Sequence, residues 1–393
     1  MSQFVEVTRK GLGSRGKDSL GGLFVGFIFL AIAVAVLFYN EGRAVKRYKD
    51  LKEGAGSVVS IPSTAIDPAM EGKLIHTSGN TVVSTPLQDA EFGISVPAIK
   101  LIRTAEMFQW VEKVKTKKKE NVGGSTEETK TYSYETAWKS NLVDSSQFKV
   151  SSEYRNPKEM KYLSTTMIAE GVTLGNFDLP AFLVAKIGGA TPLVIENLKD
   201  ASPEIQQGAK IQADKVYFGA NPAAPAVGDQ RIRFETVLTG PVSVVARQTG
   251  KTFTPFPTST KGHLDLLEAG IVSAPEMFQK AQDRNKVWTW AIRVGGFVFM
   301  TIAFAMILRP IAVLASILPF LGRIVGTGTG ILGFLLAGIL WTITVAVAWI
   351  FYRPVLGITI LVVTLVLIIL AVKRLRKGSA IAPPLVDAPP PLL

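Results

Sequence analysis

Leu20–Tyr39 reads LGGLFVGFIFLAIAVAVLFY, twenty residues without a charge, and no other feature of the chain restricts its fold as much. A helix of that length, at about 1.5 Å per residue, matches the roughly 30 Å hydrocarbon layer of a bilayer. A cleaved signal peptide would carry an apolar core of only about 7–15 residues and a small-residue cleavage site. Here the stretch ends in FYNEGR, so it reads as a retained anchor. Three more apolar blocks lie near the other end. The second begins VWTWAIRVGGFVFMTIAFAMIL at 287–308, the third closes on WIFYRP, and the fourth reads VLGITILVVTLVLIILAV. Only Tyr352, Arg353 and Pro354 separate the last two.

The expected class is an α+β membrane protein. Four transmembrane helices stand in a 1 + 3 arrangement, with a large β-rich soluble domain inserted between the first and second. The boundaries read as a segment at 1–18, a helix at 19–40, the domain at 41–286 and a helix at 287–308. A connection at 309–327, helices at 328–352 and 354–373 and a Pro-rich tail at 374–393 follow. Within the connection, Pro310–Leu321 is too short to cross and is interrupted by Pro319. It reads as an interfacial or re-entrant piece, with Gly326, Gly328 and Gly330 as a flexible joint.

Apart from Arg293 near one end, these blocks contain no Asp, Glu, Lys, Arg or His. Ion-coupled transporters place such groups or broken helices at mid-membrane, so the pattern argues against that class. Arg293 sits one turn in and has a stem long enough to snorkel to the interface. Gly22 and Gly26, and Gly322, Gly326 and Gly330, recur every four residues, the spacing that lets helices approach closely within a chain or between copies. Arg43, Lys46, Arg47, Trp288, Trp290 and Arg353 are the residues expected at headgroup level.

Flanking charge does not orient the chain. Arg9, Lys10, Arg15 and Lys17, Arg309 and Arg323, and the KRLRK run at 373–377 fall on the side of the termini. Against them stand Arg43, Lys46, Arg47 and Lys49, then Lys280, Arg284, Lys286 and Arg293, with Arg353 in the last hairpin. The two sets nearly balance, and orientation follows a bias. The formal net charge of +12 is concentrated beside the apolar blocks, where anionic lipid headgroups explain it. No nucleic-acid-binding signature accompanies it.

The domain sequence is mostly of period two. KLIHTSGNTVVST reads as two short strands around Ser78, Gly79 and Asn80. TYSYETAWKS, QRIRFETVL and VSVVARQTG read as strands, the last two joined through TGP. KTKKKENVGGSTEETK at 115–130 reads as an exposed hairpin tip about Gly123 and Gly124. A helix starting at SAPEMFQ runs into the second apolar block, and another is expected at Leu179–Ile187. In EMFQWVE and the strand after it, Phe108, Trp110, Tyr132, Tyr134 and Trp138 are the candidate partner surface, with buried core as the simpler role.

Catalytic signals are thin. The chain has no cysteine, which excludes disulfides and thiolate chemistry, and its two histidines are His76 and His263. His263 stands two residues before Asp265, but no third ligand has suitable spacing for a metal. Glu127–Glu128 lies in the charged tip and reads as solvated surface. GAGSVVS lacks the last glycine of a nucleophile elbow, and GTGTG lacks the lysine of a phosphate loop. The expectation is no enzyme, no cofactor and no metal.

NEGRAVK, EGKLIH, EMFQWVE, YSYETAWKS, VGDQRIRF, VVARQTG and WIFYRP occur in that order from one end of the chain to the other. Together they resemble the transmembrane protein 43 (LUMA) family, over about Gly21–Val372. Residues 158–215 and both tails match poorly. The resemblance implies termini in the cytoplasm or nucleoplasm and a lumenal domain. It also implies residence in the endoplasmic reticulum and inner nuclear membrane, self-association, and nuclear-envelope partners including lamins and emerin. No catalytic residues are known for the family. If the chain is a bacterial member, those partners have no counterpart. Its domain would then face out from the inner (cytoplasmic) membrane, and architecture and a general scaffolding role carry over.

The functional expectation is a non-enzymatic multi-pass membrane scaffold. It would contact membrane lipid, form a homo-oligomer, and bind membrane or extracytoplasmic proteins but no nucleic acid. The alternative is an oligomeric channel or transporter lined by Thr342, Thr344, Thr359 and Thr364, although such threonines usually bond their own helix backbone.

Overall fold

A computed structural model of the chain describes residues 3–317, 319–355, 359 and 362, apart from the side chains of 319–323. The expected α+β architecture is present. One long helix, α1 (Leu12–Ser57), precedes a β-rich domain, and α2 (Ala274–Ala315) and α3 (Pro319–Tyr352) follow it. All three contain apolar stretches long enough to cross a membrane. The expected helix at 354–373 and the tail at 374–393 fall almost wholly outside the described residues.

The start of α2 is written locally. The Ser273 hydroxyl accepts from the Glu276 amide, Pro275 occupies the first turn, and Glu276 suits the positive end of the helix. The helix continues through Pro310 to Ala315, and α3 takes up the chain at Pro319. Helix therefore enters the connection from both sides, and Gly326, Gly328 and Gly330 are helical where the sequence reading put a joint. Each glycine costs a helix about 1 kcal/mol, but apolar surroundings leave backbone groups no partner outside the helix.

Among the described residues the domain contains an eight-stranded and a seven-stranded sheet. The first holds β1 (Phe4–Lys10), β3 (Ala98–Glu120), β4 (Thr126–Lys139), β5 (Lys215–Phe218) and β6 (Gln230–Leu238). The second is built on β2 (Leu74–Val83), β7 (Pro241–Thr249) and β8 (Leu266–Ala269). The TGP turn does join β6 to β7, but it passes the chain from one sheet to the other. Along β3, Leu101, Arg103, Ala105, Met107 and Gln109 are buried while their neighbours are half-exposed, as a strand with one covered face requires.

Two clusters fill the domain. One gathers Phe92, Leu101, Val216, Ile232 and Phe234, the other Ile75, Ile99, Leu174, Phe177 and Phe253. A third brings Leu51 of α1 and Met277 and Phe278 of α2 against Leu74, Val245 and Leu264. Each such side chain contributes about 1.5–3 kcal/mol by leaving water.

Two expectations change. KLIHTSGNTVVST is one ten-residue strand, not two strands about a turn. Gly79 is there for space: an added Cβ would lie 2.6 Å from the Ser63 hydroxyl oxygen. The helix expected at Leu179–Ile187 shrinks to the single turn Ala181–Val184, with Leu183 and Val184 buried.

His76 lies on β2 and is buried. Its Nε2 is 2.9 Å from the Val272 carbonyl and its Nδ1 3.0 Å from the Ser60 hydroxyl. The neutral ring donates to the first and accepts from the second. Burial holds its pKa below the ordinary 6.5, although the carbonyl bond opposes this. A lowered folded pKa makes the unfolded chain the better proton acceptor, so stability is complete above about pH 6.5 and declines as pH falls below it. Thermal unfolding between pH 7.5 and 5 should show this decline, by up to about 1.4 kcal/mol per pH unit, and His76→Asn should flatten it. Parallel curves for the two proteins would remove His76 as the cause.

Candidate functional site

The chain divides into two compact units. One comprises Met1–Gly21, Lys46–Val287 and Pro310–Thr327, the other Gly22–Val45, Trp288–Arg309 and Gly328–Leu393. Each contains one arrangement more elaborate than packing requires.

In the helical unit that arrangement is a buried ion pair. Glu41 of α1 is 1 % exposed, and Arg293 of α2 meets it through Nε at 2.6 Å and Nη2 at 2.7 Å. From α3, Trp349 donates its indole N–H to Glu41 at 2.9 Å, and Trp341 donates to the Arg293 carbonyl at 2.9 Å. The guanidinium also lies over Trp290 and Trp349, 4.8 and 5.5 Å from the ring centres. Fork-to-fork geometry is the strongest form of this contact, and the aromatic faces add cation–π attraction. Beside it, Asn40 donates to the Thr289 carbonyl at 3.3 Å, and Arg43 reaches Asn40 at 3.1 Å and the Thr289 hydroxyl at 3.2 Å. Three helices are thereby fixed in one register.

Sequence reasoning placed Arg293 as a snorkelling residue; the structure turns it inward onto a partner. The partner was missed because Glu41 stands just beyond the uncharged stretch. A lone arginine one turn inside one apolar block, facing a carboxylate one turn outside another, was the available signal.

The remaining packing in this unit is close. Ala33, Leu37, Met300 and Ala337 form its core. Gly26 meets α2, where an added Cβ would lie 2.8 Å from Ile307 and 2.9 Å from the Ala303 carbonyl oxygen. Nothing lies within 4 Å of the corresponding position at Gly22, Gly326 or Gly330, and Gly322 is among the residues whose side-chain surroundings are not described. Trp288 and Trp290 are exposed, and the Arg353 amide donates to the Trp349 carbonyl. Thr342, Thr344 and Thr359 each donate to the carbonyl four residues back, at 2.7–2.8 Å, so these hydroxyls are satisfied within their helices. Thr364 lies outside the described residues.

In the β-rich unit, the β3–β4 ladder runs from Met107 opposite Lys139 to Glu120 opposite Thr126. β6 accompanies β3 only as far as Met107, so the rest projects as an arm. Its register places Phe108, Trp110, Tyr132, Tyr134 and Trp138 on one face. Phe108 and Trp138 are opposite one another at 5.2 Å, and Arg231 lies 4.4 Å over the Trp138 ring. Tyr134 stacks on Tyr154 at 3.9 Å, and Trp110 meets the same ring edge-on. Asn156 staples the covering segment, accepting from the Trp110 amide at 2.7 Å and donating to its carbonyl at 3.0 Å. Tyr134 is buried and Tyr132 pairs with Phe4, while the other three are half-exposed.

Charge on this face is ordered. Burial, together with a bond to Glu112, pushes the Tyr134 hydroxyl up to about 12. Burial would raise Glu106, but Arg231 at 2.7 Å and Arg233 at 3.1 Å hold its carboxyl below the ordinary range. Of the expected interface cations, Lys46 bonds the Lys261 carbonyl at 3.4 Å and Arg47 the His263 carbonyl at 3.0 Å. Among the described residues, no group of three His, Asp or Glu is placed to hold a metal ion.

Comparison with known proteins adds a family. The family profile for transmembrane protein 43 matches residues 107–354. Transmembrane protein 43 of Rattus norvegicus is 35% identical over 386 residues, covering 95% of each chain. That of Homo sapiens is 33% identical over 378 residues, covering 93% of each. A Drosophila melanogaster homologue is 30% identical over 348 residues, covering 86% of this chain and 90% of its own. No solved structure matches.

Proposed function

The chain belongs to the transmembrane protein 43 family, and from that premise we propose that it is a non-enzymatic membrane scaffold. Its helices hold a large extracytoplasmic domain at the bilayer, and that domain binds further copies of the chain and protein or lipid partners. The observation that carries this reading is the β3–β4 arm. It extends past the end of β6 with an aromatic face on which Phe108, Trp110 and Trp138 stay half-exposed. Rigid amphipathic rings beside arginine are what protein interfaces use as anchors. The charged groups around them are engaged in structural pairs such as Glu106 with Arg231 and Arg233.

Chemical cross-linking in native membranes followed by native mass measurement tests the proposal. Multimers or discrete hetero-complexes are expected, and Trp110→Ala with Trp138→Ala should reduce their yield several-fold. A chain that stays monomeric and without partners would overturn it.

A further inference from the structure

The segment that covers Trp110 and Tyr134 encloses a recess of about 600 Å³, lined by residues between Leu142 and Lys158. That is the size of a small-molecule site. Its walls are fixed to the strands beneath. Asn156, already clamped to the Trp110 backbone, donates its side-chain amide to the Val143 carbonyl at 3.2 Å, and its backbone amide donates to the Ser145 hydroxyl at 2.9 Å. The Lys149 amide donates to the Glu112 carboxylate at 2.6 Å and the Val150 amide to the Tyr134 hydroxyl at 3.0 Å. A ligand therefore meets a wall that is already ordered, which lowers the entropy cost of binding.

The lining is mostly polar. Leu142, Val143 and Pro157 are its apolar members, and Ser145, Ser146 and Ser151 bring hydroxyls. Arg155 and Lys158 bring two positive charges against the one carboxylate of Asp144. Among the described residues, neither cationic side chain has a hydrogen-bond or ion-pair partner. Like charges lining one recess repel each other, and an anion bound between them offsets that. Asp144 sets a second requirement. Its Oδ1 accepts from the Ser146 hydroxyl at 2.6 Å and the Ser146 amide at 2.9 Å, and these bonds hold its pKa below the ordinary range. Among the described residues Oδ2 accepts no hydrogen bond. That carboxylate repels a bare anion, whereas a ligand that also carries hydroxyls can donate one to it.

We infer that this recess binds a phosphate ester whose carrier bears hydroxyl groups. Arg155 and Lys158 take the phosphate through charge-assisted hydrogen bonds, the serine hydroxyls add donors, and Asp144 accepts from the carrier. Two cations match the charge of about −1.5 to −2 on a phosphate monoester better than the single charge of a carboxylate. A free glycerol or sugar phosphate has this chemistry, and so does a phosphorylated inositol headgroup on a lipid. The site shares no side chain with the aromatic face proposed above, so this inference goes beyond the scaffold reading and the two fail separately.

Titration calorimetry on the full chain in detergent tests it, with glycerol 3-phosphate as the probe at constant ionic strength. Saturable binding is expected. Arg155→Gln and Lys158→Gln should each weaken it at least about tenfold, because each removes a charge-assisted bond. Both side chains are exposed, so neither replacement should move the thermal midpoint. The unaltered chain should prefer glycerol 3-phosphate to inorganic phosphate, and Asp144→Asn should narrow that preference. Repeating the titration in nanodiscs containing phosphatidylinositol 4-phosphate separates the two sources. Competition there assigns the site to a lipid headgroup, and undiminished binding assigns it to a free ester. No saturable binding of glycerol 3-phosphate, or binding that Arg155→Gln and Lys158→Gln leave unchanged, would overturn the inference.

Discussion

Glu41→Ala is expected to destabilise the helical unit by about 3–5 kcal/mol, because it leaves the Arg293 guanidinium buried without its carboxylate. Both Glu41 oxygens are engaged, one by Arg293 Nε and the other by Arg293 Nη2 and the Trp349 indole. Losing the carboxylate therefore strands donors on two helices at once. Glu41→Gln keeps an acceptor but not the charge and should fall between. The informative variant is the double replacement Glu41→Leu with Arg293→Met. A buried ion pair gains little over well-packed apolar side chains, so removing both partners should restore most of the loss. Survival of monodisperse protein in detergent after graded heating reads all three. Unchanged midpoints for Glu41→Ala would mean that the pair does not hold the helices.

What could be read from the sequence depended on how local the cause was. The long apolar stretches, the capped start of α2, and the β3–β4 hairpin about Gly123 and Gly124 each follow from neighbouring residues. Glycine is required at that tip, where φ is +88° and +74°. Gly79 misled because glycine has two uses: its place here is a close approach to Ser63, a residue distant in sequence. Glu41 and Arg293 are 252 residues apart, and nothing near either names the other. The N-terminal strand was missed for the same reason. FVEVTRK is a short alternating run whose partner, Thr126–Tyr132, lies more than a hundred residues on. Of the five aromatic candidates, the sequence placed Tyr132, Tyr134 and Trp138 on a strand, but it did not show that Phe108 and Trp110 lie on the strand opposite, nor the segment around Asn156 that covers Trp110 and Tyr134.

Gly93→Ala is expected to cost about 2–5 kcal/mol, well above what its backbone angle alone explains. Gly93 has φ +62°, a left-handed conformation that costs a residue with a Cβ about 1–2 kcal/mol. Gly171 has nearly the same angle, φ +65°, with nothing within 4 Å of an added Cβ, so Gly171→Ala isolates that strain. At Gly93 the added carbon would overlap the Asp200 carbonyl carbon and the Ala201 amide nitrogen. Backbone cannot rotate away as a side chain can, so overpacking adds about 1–3 kcal/mol. Relief would require moving the loop that places Phe92 in its cluster and Asp89 and Glu91 on Arg103. Ser202 donates to the Glu91 carbonyl across the same contact, which resists that movement. Arg103 lies on β3, the strand that continues into the arm, so disorder should spread from this loop toward the proposed binding face. Unfolding of the full chain in detergent should give Gly93→Ala at least twice the loss of Gly171→Ala. Equal losses would mean that the loop yields and that Arg103 is held by other contacts.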